Sequence, residues 1–189
     1  MIKVKIKTNK KLKEQIQVPK QMFHGSPYEF KNFDSLKSVY RGLTFFSNDK
    51  EISGAFAGGK DKDTGFLYTV TFNNINIFDS SINENLVLLK PIIEKLVSTK
   101  YKDPITGMNY NPSNLKADEE KINYVLNELR KKSWKILENE DVLKIIKEKK
   151  FDGINTSEAG ALNIGLFSEA LSKVNIIKKE VIQVLRENN

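Results

Sequence analysis

The chain has 189 residues, no cysteine, one histidine and a formal charge of +7, from 31 Lys and Arg against 24 Asp and Glu. A chain of this length buries roughly 70% of its unfolded surface and needs no disulfide or structural metal for a core. The lack of Cys excludes thiol nucleophiles, iron–sulfur clusters and Cys-based zinc sites, and a single imidazole, His24, excludes zinc sites built from two or three His.

In chain order, residues 2–8 (IKVKIKT) alternate apolar and polar side chains with period two and read as an amphipathic strand rather than a secretion signal. Residues 10–17 make a short helix or link ending at Pro19. Residues 21–26 run through Met22 and Phe23 into His-Gly-Ser and stop at Pro27, the pattern of a strand feeding a loop. Residues 35–40 read as a turn. Residues 42–47 (GLTFFS) form a second strand, closed by Asn48 and Asp49, with a short helix over 50–57. Residues 59–65 (GKDKDTG) read as a polar loop, 66–72 (FLYTVTF) as the clearest strand, and 75–78 as its alternating continuation.

From about residue 81 to 150 the periodicity becomes helical. Residues 83–100 carry Leu86, Leu89, Ile93, Leu96 and Val97 at helical spacing, broken by Pro91; residues 117–132 place Ile122, Val125, Leu126 and Leu129 on one face; residues 141–149 make a third helix. Residues 101–112 between the first two are loop-like. Strands return at 151–156, 162–167 and 174–184, the first two joined by turn residues at 157–160. Strand-rich, helical, then strand-rich again is an α+β pattern without βαβ alternation. The expected organisation is one domain over 1–189, with an N-terminal extension at 1–20 and a helical insertion at 81–150.

No apolar run approaches the ~20 residues that span a bilayer, so no membrane partner is expected and a cytoplasmic location is. The basic surplus is almost wholly lysine, with Arg41, Arg130 and Arg186 the only arginines. Bidentate base and phosphate recognition favours Arg, which disfavours a sequence-reading DNA-binding domain.

Three segments could carry chemistry. The first ends a strand in His24, Gly25 and Ser26: an imidazole, a backbone that a ligand can approach closely, and a hydroxyl. The second places Phe45 and Phe46 at the end of a strand, pointing to opposite faces, and Phe56 on the following helix. The third, Phe151-Asp152-Gly153-Ile154 followed by Glu158 and Asn163, supplies acidic residues near a late strand. Taken singly, each has an ordinary structural reading: a His satisfied near a turn, aromatics in a core, an Asp in a turn and a Glu in a solvated hairpin.

Their order over residues 22–177 resembles the ADP-ribosyltransferase fold, in the diphtheria-toxin and poly-ADP-ribose-polymerase branch with a His–Tyr–Glu triad. That resemblance implies two small antiparallel sheets forming an NAD cleft, NAD as substrate and no metal. It implies that His24 bonds a ribose hydroxyl of NAD, that the Gly25 backbone pairs with the nicotinamide carboxamide, and that Ser26 lies beside the adenosine side. Phe45 falls where the family has its triad Tyr and Phe56 where a second aromatic stands, so the nicotinamide stacks between two rings without a Tyr hydroxyl. In many relatives a Glu opens the strand that here carries Asn163. Divergent members, including phage-encoded inhibitors of bacterial immunity, place the acid in the turn before it, where Glu158 stands here. Glu158 is favoured over Asn163 as the catalytic acid, with Asn163 lining the site. Arg41 could reach a pyrophosphate oxygen, and Lys60 and Lys62 could contact NAD or the target. The implied activity is mono-ADP-ribosyl transfer to a macromolecular acceptor, protein in preference to nucleic acid, as a toxin or a phage counter-defence factor. NAD glycohydrolysis and a non-catalytic binding module of the same fold are the alternatives.

Overall fold

The computed structural model describes residues 18–33, 42–58, 64–98, 101–102, 109–110 and 118–183. The expected strand at 2–8, the link at 10–17, the turn at 35–40, Arg41, Lys60 and Lys62 lie outside these.

The first strand-rich part gives β1 (Met22–Ser26), β2 (Leu43–Ser47), α1 (Lys50–Ala55), β3 (Thr64–Phe72) and the two-residue β4 (Ile77–Phe78). The α1 helix starts where the Asp49 carboxylate accepts the Glu51 and Ile52 amides at 2.8 and 3.0 Å, satisfying donors that a first helical turn leaves without partners. The helical part contains α2 (Asn83–Leu88), α3 (Lys90–Ser98), a short ladder of β5 (Tyr101–Lys102) with β6 (Asn109–Tyr110), α4 (Asp118–Arg130), α5 (Trp134–Leu137) and α6 (Glu140–Glu148). The break in the first helical run falls at Leu89 rather than at Pro91, because Pro91 sits in the first turn of α3, where no amide bond is lost. The last part is β7 (Gly153–Glu158), β8 (Ala161–Phe167), a 3₁₀ segment over Ser168–Lys173 and the edge strand β9 (Val174–Gln183).

The class is α+β. In place of two small antiparallel sheets, one seven-stranded mixed sheet runs in the order β4-β7-β8-β2-β1-β3-β9, antiparallel except where β4 meets β7. Its halves are joined at a narrow seam. β1 runs beside β3 from Met22↔Val70 to Ser26↔Phe66, and β2 beside β8 from Leu43↔Phe167 to Ser47↔Asn163, but β1 and β2 are in register only at Phe23↔Ser47. Beyond that pair the central strands no longer form a continuous ladder.

Each face of the sheet carries its own apolar cluster. Leu43, Ile154 and Phe167 pack with Leu86, Ile93, Leu126, Leu129 and Ile146 of the helices. On the opposite face, Met22, Phe46, Tyr68, Val70 and Ile164 pack with Ala170 and Leu171. Phe45 and Phe46 therefore point to opposite faces as strand geometry requires, Phe46 into one cluster and Phe45 against the other.

A buried polar knot fastens the helices to the sheet. Asp79, 4% exposed, accepts hydrogen bonds from the Ser81 amide at 2.8 Å, the Ser81 hydroxyl at 2.5 Å and Asn155 Nδ2 at 3.0 Å, and pairs with Lys132 at 2.9 Å. Burial pushes its carboxyl pKa up, but the bonds from Ser81 and Lys132 outweigh that and hold it below the ordinary value. A depressed native pKa stabilises the fold above about pH 4, the unfolded value, and that stability is lost as pH falls through the native one. Asp79→Ala is expected to cost about 3 kcal/mol by leaving Lys132 without its partner, and to remove this part of the acid-induced fall in Tm, as followed by thermal melts from pH 7 to pH 3. Asp152 is likewise more than a turn residue: it accepts the Asn76 amide at 2.6 Å and Lys173 Nζ at 2.7 Å, clamping the entry to β7.

Candidate functional site

The site forms at the seam. Residues alternate along β1, so His24 shares a face with Met22 and enters an aromatic surround, its ring centroid 5.1 Å from Phe33 and 5.5 Å from Phe46. Its Nδ1 lies 2.8 Å from the Phe45 carbonyl of β2, so the imidazole bridges the two central strands where their own ladder has stopped. A carbonyl only accepts, so Nδ1 carries the proton in this bond. Burial pushes the His24 pKa down from its ordinary value, against the smaller opposing effect of the Phe45 bond. A neutral imidazole protonated at Nδ1 has a lone pair at Nε2, a hydrogen-bond acceptor with no partner among the described residues.

The seam opens into a cavity of about 420 Å³. One side is formed by His24, Gly25, the α1 residues Ile52 and Ser53 and the capping Phe56 that follows them; the other by Phe45, Ser47, Asn163 and Glu158 with Trp134 and Glu138 of the helical part. Strand register explains the second wall. Directly opposed residues share a face, so Phe45↔Gly165, Ser47↔Asn163, Thr156↔Asn163 and Glu158↔Ala161 put Phe45, Asn163 and Glu158 on the same side of the sheet. The Phe45 ring lies against Gly165, where an added Cβ would stand 2.8 Å from its Cε1. The β7–β8 hairpin turns through Ala159 and Gly160, with φ of 49° and 84°, which leaves Glu158 exposed at the rim.

Six of the residues singled out from sequence, His24, Gly25, Phe45, Phe56, Glu158 and Asn163, line this one cavity. Phe56 is 64% exposed at the end of α1, a large apolar ring held at the mouth. Asn163 is 7% exposed, and its Oδ1 is buried without a hydrogen-bond partner among the described residues. Such a group costs free energy unless something supplies a donor, and Asn163 is one of the residues that line the cavity. Gly25 lines the cavity and is also small for a packing reason. Its missing side chain makes room for α1, since an added Cβ would collide with the Ser53 carbonyl. Ser26 does not line the cavity; its hydroxyl accepts the Tyr28 amide at 3.1 Å. Arg41 lies outside the described residues.

Sequence reasoning did not find Trp134 and Glu138. The α5 helix is four residues long, too short for apolar periodicity to show, and its one local signal is Ser133 at the N-cap. Tertiary pairing fixes it: Ser133 bridges Ser157 of β7, and the Ser157 amide donates to the Lys132 carbonyl at 3.0 Å. Among the described residues no group of three or more His, Asp or Glu is arranged to hold a metal ion, and no helix is long and apolar enough to cross a membrane.

No protein-family model matches the chain, and no curated protein matches it in sequence. Among solved structures, a chain described as "Crystal structure of an anti-CRISPR protein" aligns with a TM-score of 0.36 and 12% identity, over 86% of this chain and 94% of its own.

Proposed function

We propose that the protein is a mono-ADP-ribosyltransferase that cleaves NAD at the nicotinamide–ribose bond and passes ADP-ribose to a macromolecular acceptor, protein rather than nucleic acid. The observation that supports this most is the convergence of His24, Phe45, Phe56, Asn163 and Glu158 on one cavity at the seam between β1 and β2.

The chemistry of these groups suits NAD. His24 Nε2 is an acceptor that a ribose hydroxyl can satisfy, and Asn163 lines the same cavity. Phe45 and Phe56 offer ring surface to a flat heteroaromatic leaving group, and stacking needs the ring rather than a Tyr hydroxyl. Cleaving the nicotinamide–ribose bond develops positive charge on the sugar, and the Glu158 carboxylate at the rim stabilises it electrostatically. Asn163, uncharged, holds the substrate without contributing to that term.

A second reading, a non-catalytic module of the same fold that binds a partner, is favoured by the two Phe rings and by an amide at position 163. One titration separates the readings. NAD at a hundredfold excess over Kd is expected to stabilise the protein by about 2.7 kcal/mol, roughly 5–10 °C in Tm for a chain of this size, with nicotinamide appearing in the same tube. A Tm shift without nicotinamide contradicts the transferase, and no shift at millimolar NAD favours the module.

A further inference from the structure

We infer that Trp134 is the platform on which the adenine ring of NAD stacks, so that the cavity takes an adenine dinucleotide in preference to a nicotinamide mononucleotide. This rests on the NAD reading above and supplies a contact for the half of the substrate that reading leaves without one.

The adenosine half lacks its expected partner. The Ser26 hydroxyl accepts the Tyr28 amide, and Ser26 does not line the cavity. Trp134 does line it, from the helical part. It is the only Trp in the chain, and a side chain with that much apolar surface ordinarily contributes to a core. Here it belongs to neither apolar cluster, although Ile136 and Leu137 of the same turn are buried in one of them. The indole is half-buried, with the Lys135 ammonium 5.9 Å from its centroid, and it meets no other ring and no hydrogen-bond acceptor among the described residues. Its surface is thus left to the cavity rather than used in packing.

The platform is held before any ligand arrives. Ser133 bridges Ser157 of β7, the Ser157 amide donates to the Lys132 carbonyl at 3.0 Å, and the Leu137 amide donates to the Ser133 carbonyl at 3.1 Å. With Ile136 and Leu137 buried behind it, the single turn of α5 is fixed against the sheet, so stacking on Trp134 costs little ordering of the backbone that carries it.

NAD carries two flat heteroaromatic rings joined by a diphosphate. Four Phe and Trp rings line the cavity. Phe46 is 1% exposed inside its own cluster and offers no face to a ligand. Phe45 and Phe56 serve the nicotinamide, and Trp134 serves the adenine. Stacking uses the π-face of a base and needs no hydrogen bond from the indole, which agrees with the absence of polar groups organised around it.

The test uses the full chain and two half-substrates: ADP-ribose, which has adenine and no nicotinamide, and nicotinamide mononucleotide, which has nicotinamide and no adenine. Affinities are measured by calorimetry, and the emission of the single Trp is followed in the same titrations. ADP-ribose is expected to quench that emission saturably at the Kd that calorimetry reports. Trp134→Ala is expected to weaken ADP-ribose by about 5–150-fold, the usual range for removing an aromatic platform from a base, and to leave nicotinamide mononucleotide unchanged. Trp134→Phe, which keeps a ring, should recover part of the loss. Unchanged ADP-ribose affinity in Trp134→Ala, or ADP-ribose bound by the wild type without a change in emission, overturns the assignment. So does an equal loss of affinity for nicotinamide mononucleotide in Trp134→Ala, which is what a merely structural wall produces. A wild type that binds neither half-substrate nor NAD overturns the NAD reading itself, a distinct result.

Discussion

Glu158→Gln is expected to lower the rate of nicotinamide release by roughly 10²–10³-fold, the usual cost of removing one electrostatic stabiliser of a transition state, while NAD affinity is expected to stay within a few-fold of the wild type. The separation of kcat from affinity follows from where the residue stands. Glu158 lies at the rim, at the end of β7 just before the hairpin turn at Ala159 and Gly160, and is exposed, so Gln in its place disturbs neither packing nor the hydrogen bonds of β7. The amide keeps the size and loses the charge, and charge matters only once the sugar becomes cationic. Steady-state kinetics with nicotinamide detected by chromatography check this. Unchanged turnover in Glu158→Gln, with loss in Asn163→Ala, moves the central role to the buried amide.

His24→Ala has the other large effect, and it acts on binding as well as turnover: kcat/KM is expected to fall by about 100-fold, or ~2.7 kcal/mol. Two interactions are lost together. The imbalance at the Phe45 carbonyl, which loses its 2.8 Å bond, loosens the seam, and the ribose loses an acceptor. The same residue sets a pH dependence. Burial lowers the His24 pKa below its ordinary ~6.5, so the imidazole is neutral at pH 7 and Nε2 accepts. As pH falls through the lowered pKa, Nε2 gains a proton and becomes a donor, so a ribose hydroxyl that donated to it must turn to accept, and NAD affinity is expected to weaken. Because charging is harder in the folded protein than in the unfolded chain, stability also declines as pH drops below ~6.5. Calorimetric NAD titration over a series of pH values from about 7.5 downward measures the effect. Wild-type affinity should weaken as pH falls through the lowered pKa, and His24→Ala, weak throughout, should show no such change.

Much of the fold is legible from local pattern, and what is not legible depends on pairing. β1, β2, β3, β7, β8 and β9 fall where alternation and turn residues put them: the first five have buried faces, β9 has only half-buried and exposed residues, and the period of two is imposed by the sheet. The α1 helix is signalled by Asp49, whose carboxylate does cap it. The number of sheets was not readable. Whether β1 and β2 are partners or neighbours across a gap depends on the single pair Phe23↔Ser47, and a seam of that kind leaves no local trace in either strand. The 75–78 strand shrinks to Ile77–Phe78, since only those residues meet β7.

The site shows the same division. His24, Phe45, Phe56, Glu158 and Asn163 stand out by residue type and spacing, and they do converge. Ser26 stands out equally, yet its hydroxyl is used by the local turn to Tyr28. Gly25 was noticed for ligand approach, while its size is required by the Ser53 carbonyl of α1. Trp134 and Glu138 arrive from 88 or more residues after Phe45 through the Ser133–Ser157 bridge, a contact that no window of sequence contains.

The central claim, that this seam is an NAD-cleaving site, is tested most directly by incubating the purified full chain with NAD and following nicotinamide and ADP-ribose products by mass spectrometry, alongside His24→Ala and Glu158→Gln. Nicotinamide release by the wild type that falls sharply in both variants is the predicted result. NAD that stays intact with the folded wild type at millimolar concentration, or equal release by all three proteins, contradicts it.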